Sequence, residues 1–273
     1  MPRANRTYLP GLVWHITHRC HNRSFLLKGD RYKREWKRWI AESRKRYKLR
    51  VLNYTLTDNH IHLLAFDKKP GSSISSSMQL TAGQTAQTFN AVHSRRGAFW
   101  EDRYHATAVQ TGDHLLRCIC YIDLNMARAG AVSHPSQWQW GGYRELQETR
   151  TRYRLVDSGS LMKLLGVSSV VELRDVHGRM IESSLRNEDL ERDDRWSGAI
   201  AVGDDAFVRQ VHERLQVRMG RCAIVGGDGV EMVGEPREDL YESPGAGNGN
   251  TFDWMLGEGP SQTHAGAADS IEQ

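Results

Sequence analysis

The chain of 273 residues has no C-x-x-C pair. Its four cysteines, Cys20, Cys118, Cys120 and Cys222, show no matched zinc spacing. Cys118 and Cys120 fit a reduced, intracellular protein better than a secreted disulfide framework. No apolar run approaches the ~18–20 residues of a bilayer span. Met1-Pro2-Arg3-Ala4-Asn5-Arg6 lacks the apolar core of a signal peptide. A cytoplasmic protein without a membrane partner is expected. The chain also lacks an even distribution of charge. Residues 1–150 carry 24 Lys and Arg against 11 Asp and Glu, a net of +13, whereas residues 151–273 carry 13 against 22, a net of −9. A basic first half is expected to meet a polyanion, and nucleic acid is the obvious one.

What is present reads as alternating strands and helices. Gly11 to Cys20 is expected to be a strand, led by the Pro10-Gly11 break. Arg31 to Lys48 is expected to be a helix, because Tyr32, Trp36, Trp39, Ile40 and Tyr47 lie near a 3.6 period. Its remaining faces carry Arg31, Lys33, Arg34, Lys37, Arg38, Arg44, Lys45 and Arg46, a basic stripe. Val51–Thr57 and Ile61–Phe66 flank Asp58-Asn59 and read as a hairpin. Lys68 to Ser73 reads as a loop, Ile74 to Val92 as a second helix and Phe99 to Val109 as a fourth strand. The order β-α-β-β-α-β specifies an α+β fold, a ferredoxin-like four-stranded antiparallel sheet with two helices on one face. Such a sheet places the third strand centrally.

On that strand His60 and His62 share one face while Ile61, Leu63 and Ala65 share the other. Two imidazoles side by side are two-thirds of a metal site or half of an acid/base pair, and the motif alone does not choose. If Ile61 and Leu63 face the helices, both histidines face the open side of the sheet. A further helix is expected from the Thr111-Gly112-Asp113 cap to Gly130. Leu115, Leu116, Ile119, Ile122 and Met126 form its apolar stripe, and His114, Arg117, Tyr121, Asn125 and Arg128 the opposite, polar one.

Together these motifs resemble the single-tyrosine HUH transposases, and among them the REP-associated tyrosine transposases. The resemblance runs from Met1-Pro2-Arg3 to about Tyr143. It rests on Asp58-Asn59-His60-Ile61-His62-Leu63-Leu64, on Gly97-Ala98-Phe99-Trp100-Glu101-Asp102-Arg103-Tyr104, and on Tyr121-Ile122-Asp123-Leu124-Asn125-Met126-Ala127-Arg128-Ala129-Gly130. Met126 departs from the pattern, since many members have proline there. The resemblance implies a transposase that cleaves and rejoins single-stranded, hairpin-forming DNA through a covalent 5′-phosphotyrosine. It implies Tyr121 as nucleophile, with His60, His62 and Asn125 as ligands of Mg²⁺ or Mn²⁺. Imidazole nitrogens and an amide oxygen are competent ligands for such a cation, which would withdraw charge from a phosphodiester. Arg19, Arg95, Arg96, Arg103, Arg117 and Arg128 are the candidate phosphate contacts. Trp14, Trp100 and Tyr104 could stack on bases, although a core role suits each. The REP-associated type favours a monomer over a dimer, and a cytoplasmic enzyme of this kind associates with the nucleoid when bound to DNA.

Competing readings use other residues. His15-Ile16-Thr17 and His105-Ala106-Thr107 are two His-x-Thr motifs, the signature of two-histidine phosphoesterases. A ferredoxin-like nucleic-acid-binding module without catalysis is the non-enzymatic alternative. His15, His18, Cys20 and His21 suggest a zinc cluster, but a strand puts His15 and His18 on opposite faces. Beyond a turn-rich linker at His134–Tyr143, residues 151–225 read as a small acidic helical appendage. Its helices are expected at Ser160–Leu165, Val171–Leu185 and Asp204–Val217, with Arg209, Arg214, Arg218 and Arg221 available to DNA. Residues 226–273 are expected to be disordered, Ser243 to Asn250 above all. The expected domains are therefore 1–150, 151–225 and 226–273.

Overall fold

The computed structural model describes residues 8–67, 73–149, 154–187, 190–219, 223–225 and 231–234. All of them fall within one compact unit, Met1–Glu235. Expectations placed on residues 1–7, on 68–72, on the side chain of Arg218, on Arg221 and on Ser243–Asn250 lie outside the described residues. Four strands form the expected antiparallel set: β1 (Val13–Arg19), β2 (Arg50–Leu56), β3 (His60–Phe66) and β4 (His105–Val109). Their order is β2-β3-β1-β4, so β3 is interior, flanked by β1 and β2. Helices α1 (Asp30–Tyr47) and α2 (Ser73–Val92) supply the ferredoxin-like crossovers. The fold is α+β, as the sequence indicates.

The helices lie where their periodicity directs them. Tyr32, Trp36 and Ile40 of α1 are buried at four-residue steps. In α2 the buried set is Ile74, Ser77, Met78, Thr81, Thr85 and Phe89. Its small hydroxyl residues let the two helices approach closely, and the Ser43 hydroxyl lies 3.1 Å from that of Thr81. Tyr54 and Leu63 are cross-strand partners, and the Tyr54 ring lies 6.3 Å from that of Trp36, so this sheet face meets α1. One member of the expected basic stripe is not solvated at all. Lys33 is 2% exposed and pairs with Asp58 at 2.5 Å, which fastens the β2–β3 turn to α1.

The opposite face is covered, not open. It is roofed by α3 (Asp113–Asp123) and the one-turn α4 (Asn125–Arg128), and beside them by α6 (Ser158–Leu165) and the one-turn α8 (Arg195–Gly198). Asn53 and Thr55 on β2 donate to the carbonyls of Ile119 and Ile122 on α3. The expected continuous helix from the Thr111-Gly112-Asp113 cap to Gly130 is interrupted at Leu124, and no side chain caps its start. The fourth strand is shorter than expected. Glu101, Asp102 and Arg103 are exposed, Asp102 accepts from the Arg103 amide, and only Trp100 bridges back, to Cys20.

Residues beyond 150 join the same sheet. Strand β5 (Ala201–Gly203) pairs in parallel with β4, and β7 (Glu231–Gly234) and β6 (Ala223–Val225) continue to a seven-stranded order β2-β3-β1-β4-β5-β7-β6. Thus Glu231–Gly234, within the stretch read as a disordered tail, is a strand held by its ladder to β5. The linker packs through its tryptophans: Trp140 is buried and the Trp138 indole donates to the Leu56 carbonyl at 3.1 Å. It ends in α5 (Tyr143–Gln147). A Cβ on Gly142 would sit 2.0 Å from the Asn53 side-chain oxygen, so any larger residue there would displace Asn53.

Helix α7 (Val170–Arg186) is tied to α3 by a buried pair. The Gln147 amide donates to the Arg174 carbonyl and to His177 Nδ1, so His177 carries its proton on Nε2 and donates to Asp123 Oδ2 at 2.9 Å. The other oxygen, Asp123 Oδ1, has no hydrogen-bond partner among the described residues. His177→Ala would leave a buried carboxylate unpaired on α3. A loss of about 3 kcal/mol or more in urea unfolding is expected, against a much smaller loss for the double change with Asp123→Asn.

Candidate active site

The β2–β3 turn presents His60. Helix α1 fixes Asp58 through Lys33, and the adjoining Asn59 amide donates to the Arg23 carbonyl at 3.2 Å. Asn22 and Arg23 both hold left-handed φ values, 51° and 55°, in the loop that carries this carbonyl. With its amide committed as donor, Asn59 turns its oxygen to His60 Nδ1 at 2.7 Å. His60 therefore carries its proton on Nδ1 and keeps Nε2 unprotonated. Burial, helped by the charges of Arg19 and Arg192, pulls the His60 pKa down to about 3.

His62 stands two residues on, its ring centroid 5.0 Å from that of His60. Its Nε2 lies 3.2 Å from the Asn125 amide, and its Nδ1 lies 2.9 Å from His15 Nε2. Burial is the main cause of a His62 pKa well below the ordinary value, and the neighbouring His60, His15, Arg128 and Arg19 add to it. His15 is wholly buried on β1, and burial brings it to about 4, against an opposing hydrogen bond to the Trp196 carbonyl. Both β3 histidines are thus neutral at pH 7.

Tyr121 reaches this cluster from the last turns of α3. Its ring centroid is 6.0 Å from His62 and 6.2 Å from His15. It is not on a solvated polar stripe: only 8% of its surface is exposed, beneath Trp196 at 6.1 Å and the Arg128 guanidinium at 4.4 Å. Burial raises its pKa, while Arg128 and Arg192 oppose that rise. The interruption at Leu124 starts a new turn at Asn125, and it is from this turn that the amide meets His62. The structure therefore brings His60, His62, Tyr121, Asn125 and Arg128 into one locus.

The other candidate arginines divide. The charge of Arg19 reaches both β3 histidines, so it belongs to the locus. Arg95 donates to Asn90 and to the Ala98 carbonyl, holding the turn after α2. Arg96, Arg103 and Arg117 are exposed. Arg192 and Trp196 were not singled out from sequence, because no local pattern links residues near 195 to β3. In the sequence His15 belongs to a His-x-Thr motif and to the candidate zinc cluster, and the structure gives it another use. His15 Nδ1 meets the Trp196 carbonyl, His105 Nε2 lies 3.0 Å from the Ala199 carbonyl, and Thr107 donates to the same Ala199 carbonyl at 2.6 Å. With both motifs bonded to the 196–199 backbone, the two-histidine phosphoesterase arrangement has no support. The zinc reading fails as well: His18 stacks on Trp100 at 4.1 Å on the other face, burial raises Cys20 to about 12, and no cluster of three His, Cys, Asp or Glu that could hold a metal ion occurs among the described residues. His60, His62 and the amide of Asn125 remain as the set whose chemistry fits a divalent cation, with two unprotonated nitrogens and an amide that can present its oxygen.

Two neutral imidazoles, an amide and a buried tyrosine thus meet on one sheet face of a basic α+β domain. Residues 9–125 match the family model "Transposase IS200 like". Among solved structures the chain is similar to a REP-associated tyrosine transposase bound to a REP hairpin, at 19% identity and a TM-score of 0.47, over 59% of this chain and 93% of that one. It is also similar to a protein assigned as a transposase in Deinococcus radiodurans R1, at 14% identity and a TM-score of 0.32, over 47% and 97%. No curated protein matches the chain. No helix among the described residues is long and apolar enough to cross a membrane.

The lowered histidine pKa values set the acid limb of stability. In the unfolded chain His15 takes up a proton below pH 6.5, and in the folded one only near pH 4. Stability is therefore full above pH 6.5 and is lost as the pH falls toward 4. His15 alone accounts for about 2 kcal/mol between pH 7 and pH 5, read as a falling urea midpoint. A midpoint unchanged over that interval would contradict neutral burial.

Proposed function

We propose that this transposase domain cleaves and rejoins single-stranded DNA through a covalent bond to Tyr121, with His60, His62 and Asn125 holding a divalent cation, Mg²⁺ or Mn²⁺. One observation carries the reading: Asn125 and Tyr121 fold back over β3, so that the amide touches His62 Nε2 while the tyrosine ring lies 6.0 Å from the same imidazole. A bound cation would withdraw charge from the phosphodiester and so lower the barrier to an incoming phenolate. Tyr121 Oη attacks phosphorus, and the bond to the 3′-oxygen breaks. The products are a 5′-phosphotyrosine and a free 3′-hydroxyl, with the phenol proton passing in net terms to the departing 3′-oxygen. The new bond conserves the phosphodiester, so a second 3′-hydroxyl reverses the step without a nucleotide cofactor.

The protein's part is to hold the nucleophile and tune it. Packing under Trp196 restricts the Tyr121 ring. Arg128 over that ring favours phenolate against the opposing effect of burial. Arg19 and Arg192 add positive charge where an anionic strand would lie, and the basic character of residues 1–150 suits a polyanion. The substrate proposed is a hairpin-forming strand, engaged by a monomer.

Incubation of the full chain with 5′- and 3′-labelled hairpin oligonucleotides and Mn²⁺ should give a covalent adduct that survives denaturing electrophoresis. Tyr121→Phe should abolish the adduct, and His62→Ala should reduce its rate by about 100-fold or more. Cleavage that persists in Tyr121→Phe would overturn the phosphotyrosine route. Binding that persists without cleavage in the unaltered chain would favour a nucleic-acid-binding module.

A further inference from the structure

Trp196 lies 71 positions beyond the family-matched residues 9–125, yet its carbonyl ends a hydrogen-bonded line that starts at His62. Helix α8 is a single turn: its Arg195 carbonyl accepts from the Ala199 amide, and Trp196 follows at the open C-terminal end. The Trp196 carbonyl is met by His15 Nδ1 at 2.7 Å and by the Thr107 hydroxyl at 3.3 Å. A carbonyl can only accept, so His15 Nδ1 carries a proton. Among the described residues no carboxylate is hydrogen-bonded to His15, and a fully buried imidazole without one is neutral. Its other nitrogen, Nε2, is then a bare acceptor. The partner of that nitrogen is His62 Nδ1 at 2.9 Å, which must supply the shared proton. His62 is left with its lone pair on Nε2, the nitrogen that faces Asn125.

We infer that His15 is a positioning residue for the metal centre: anchored by the Trp196 carbonyl of the α8 segment, it fixes His62 as the Nδ1–H tautomer and aims Nε2 at the cation. The α8 segment thereby completes a site whose ligands all lie within the family-matched residues 9–125. Asn59 does the same for His60 by a separate route, through the Arg23 carbonyl. The two locks are independent, and each ends on main chain. A free imidazole in water favours the opposite tautomer, with the proton on Nε2, which blocks that nitrogen as a ligand. Fixing the tautomer removes this competing state before metal arrives.

The inference rests on the proposed metal role of His62, and its test separates the two. In metal-free protein carrying Tyr121→Phe and ¹⁵N-labelled histidine, long-range ¹H–¹⁵N spectra report which nitrogen of His62 is protonated. A protonated Nδ1 with an unprotonated Nε2 is expected, whatever the protein does to DNA. The reverse pattern would overturn the lock. His15→Leu removes the acceptor for His62 Nδ1 and the imidazole donor of the Trp196 carbonyl. It should shift His62 toward the Nε2–H form and weaken Mn²⁺ binding, read by electron paramagnetic resonance, by 10- to 100-fold, in the range ~10–100 usual for loss of such a partner. His15→Gln, whose amide keeps an acceptor toward His62 and a donor toward the main chain, should recover most of both signals. Equal Mn²⁺ affinity and an unchanged tautomer in His15→Leu would overturn the inference. If the chain with His15 intact shows the expected tautomer but binds no Mn²⁺, the metal assignment fails and the lock stands. If His15→Leu does not fold, the tautomer in the His15 protein still decides.

Discussion

An imidazole binds a cation only through an unprotonated nitrogen, and in neutral histidine one of the two nitrogens always carries the proton. On the metal role proposed for His60 and His62, the hydrogen bonds around β3 answer that constraint. His60 has its proton drawn to Nδ1 by Asn59, which is itself oriented by the Arg23 carbonyl. His62 has its proton drawn to Nδ1 by His15, which is oriented by the Trp196 carbonyl. Both Nε2 atoms are thereby cleared. Even the β2–β3 turn is fastened, by the buried Lys33–Asp58 pair, which a surface reading of α1 treats as one more solvated charge.

The site also explains the roof over the sheet. A ferredoxin-like sheet with helices on one side leaves its other face to solvent, where Tyr121 would be mobile and the histidines would titrate in the ordinary range. Here α3 and α4 cover that face and are themselves held down, by Asn53 and Thr55 of β2 and by the buried Asp123–His177 pair from α7. Desolvation lowers the histidines and raises Tyr121 together. The first effect suits metal binding; the second opposes attack, and Arg128 over the ring works against it.

The elements themselves were largely legible. Apolar and β-branched runs beside turn residues mark β1 to β3, near-3.6 spacing marks α1, and the three helices expected beyond 150 fall within two residues of their bounds. What escaped has definite causes. Phe99–Tyr104 has the composition of a strand, but Asp102 captures a backbone amide and the ladder begins only at His105. β5 is three residues long, too short to carry a pattern, and exists because β4 offers it an edge. The interruption at Leu124 leaves no mark in the periodicity, although it sets where Asn125 points.

The sequence by itself determined the ferredoxin-like order, the family motifs and the residue types from which a site can be built. His60, His62, Tyr121 and Asn125 all stand out from local spacing and from resemblance. Only the tertiary structure decided which nitrogen of His62 is available, because a tautomer is set by whatever hydrogen-bonds to the other nitrogen: His15 lies 47 positions from His62, and the Trp196 carbonyl that orients it lies 181 positions from His15. The same holds for His15. In the sequence it belongs to a His-x-Thr motif suggestive of other chemistry; in the fold its two nitrogens are already spoken for, one by main chain and one by His62.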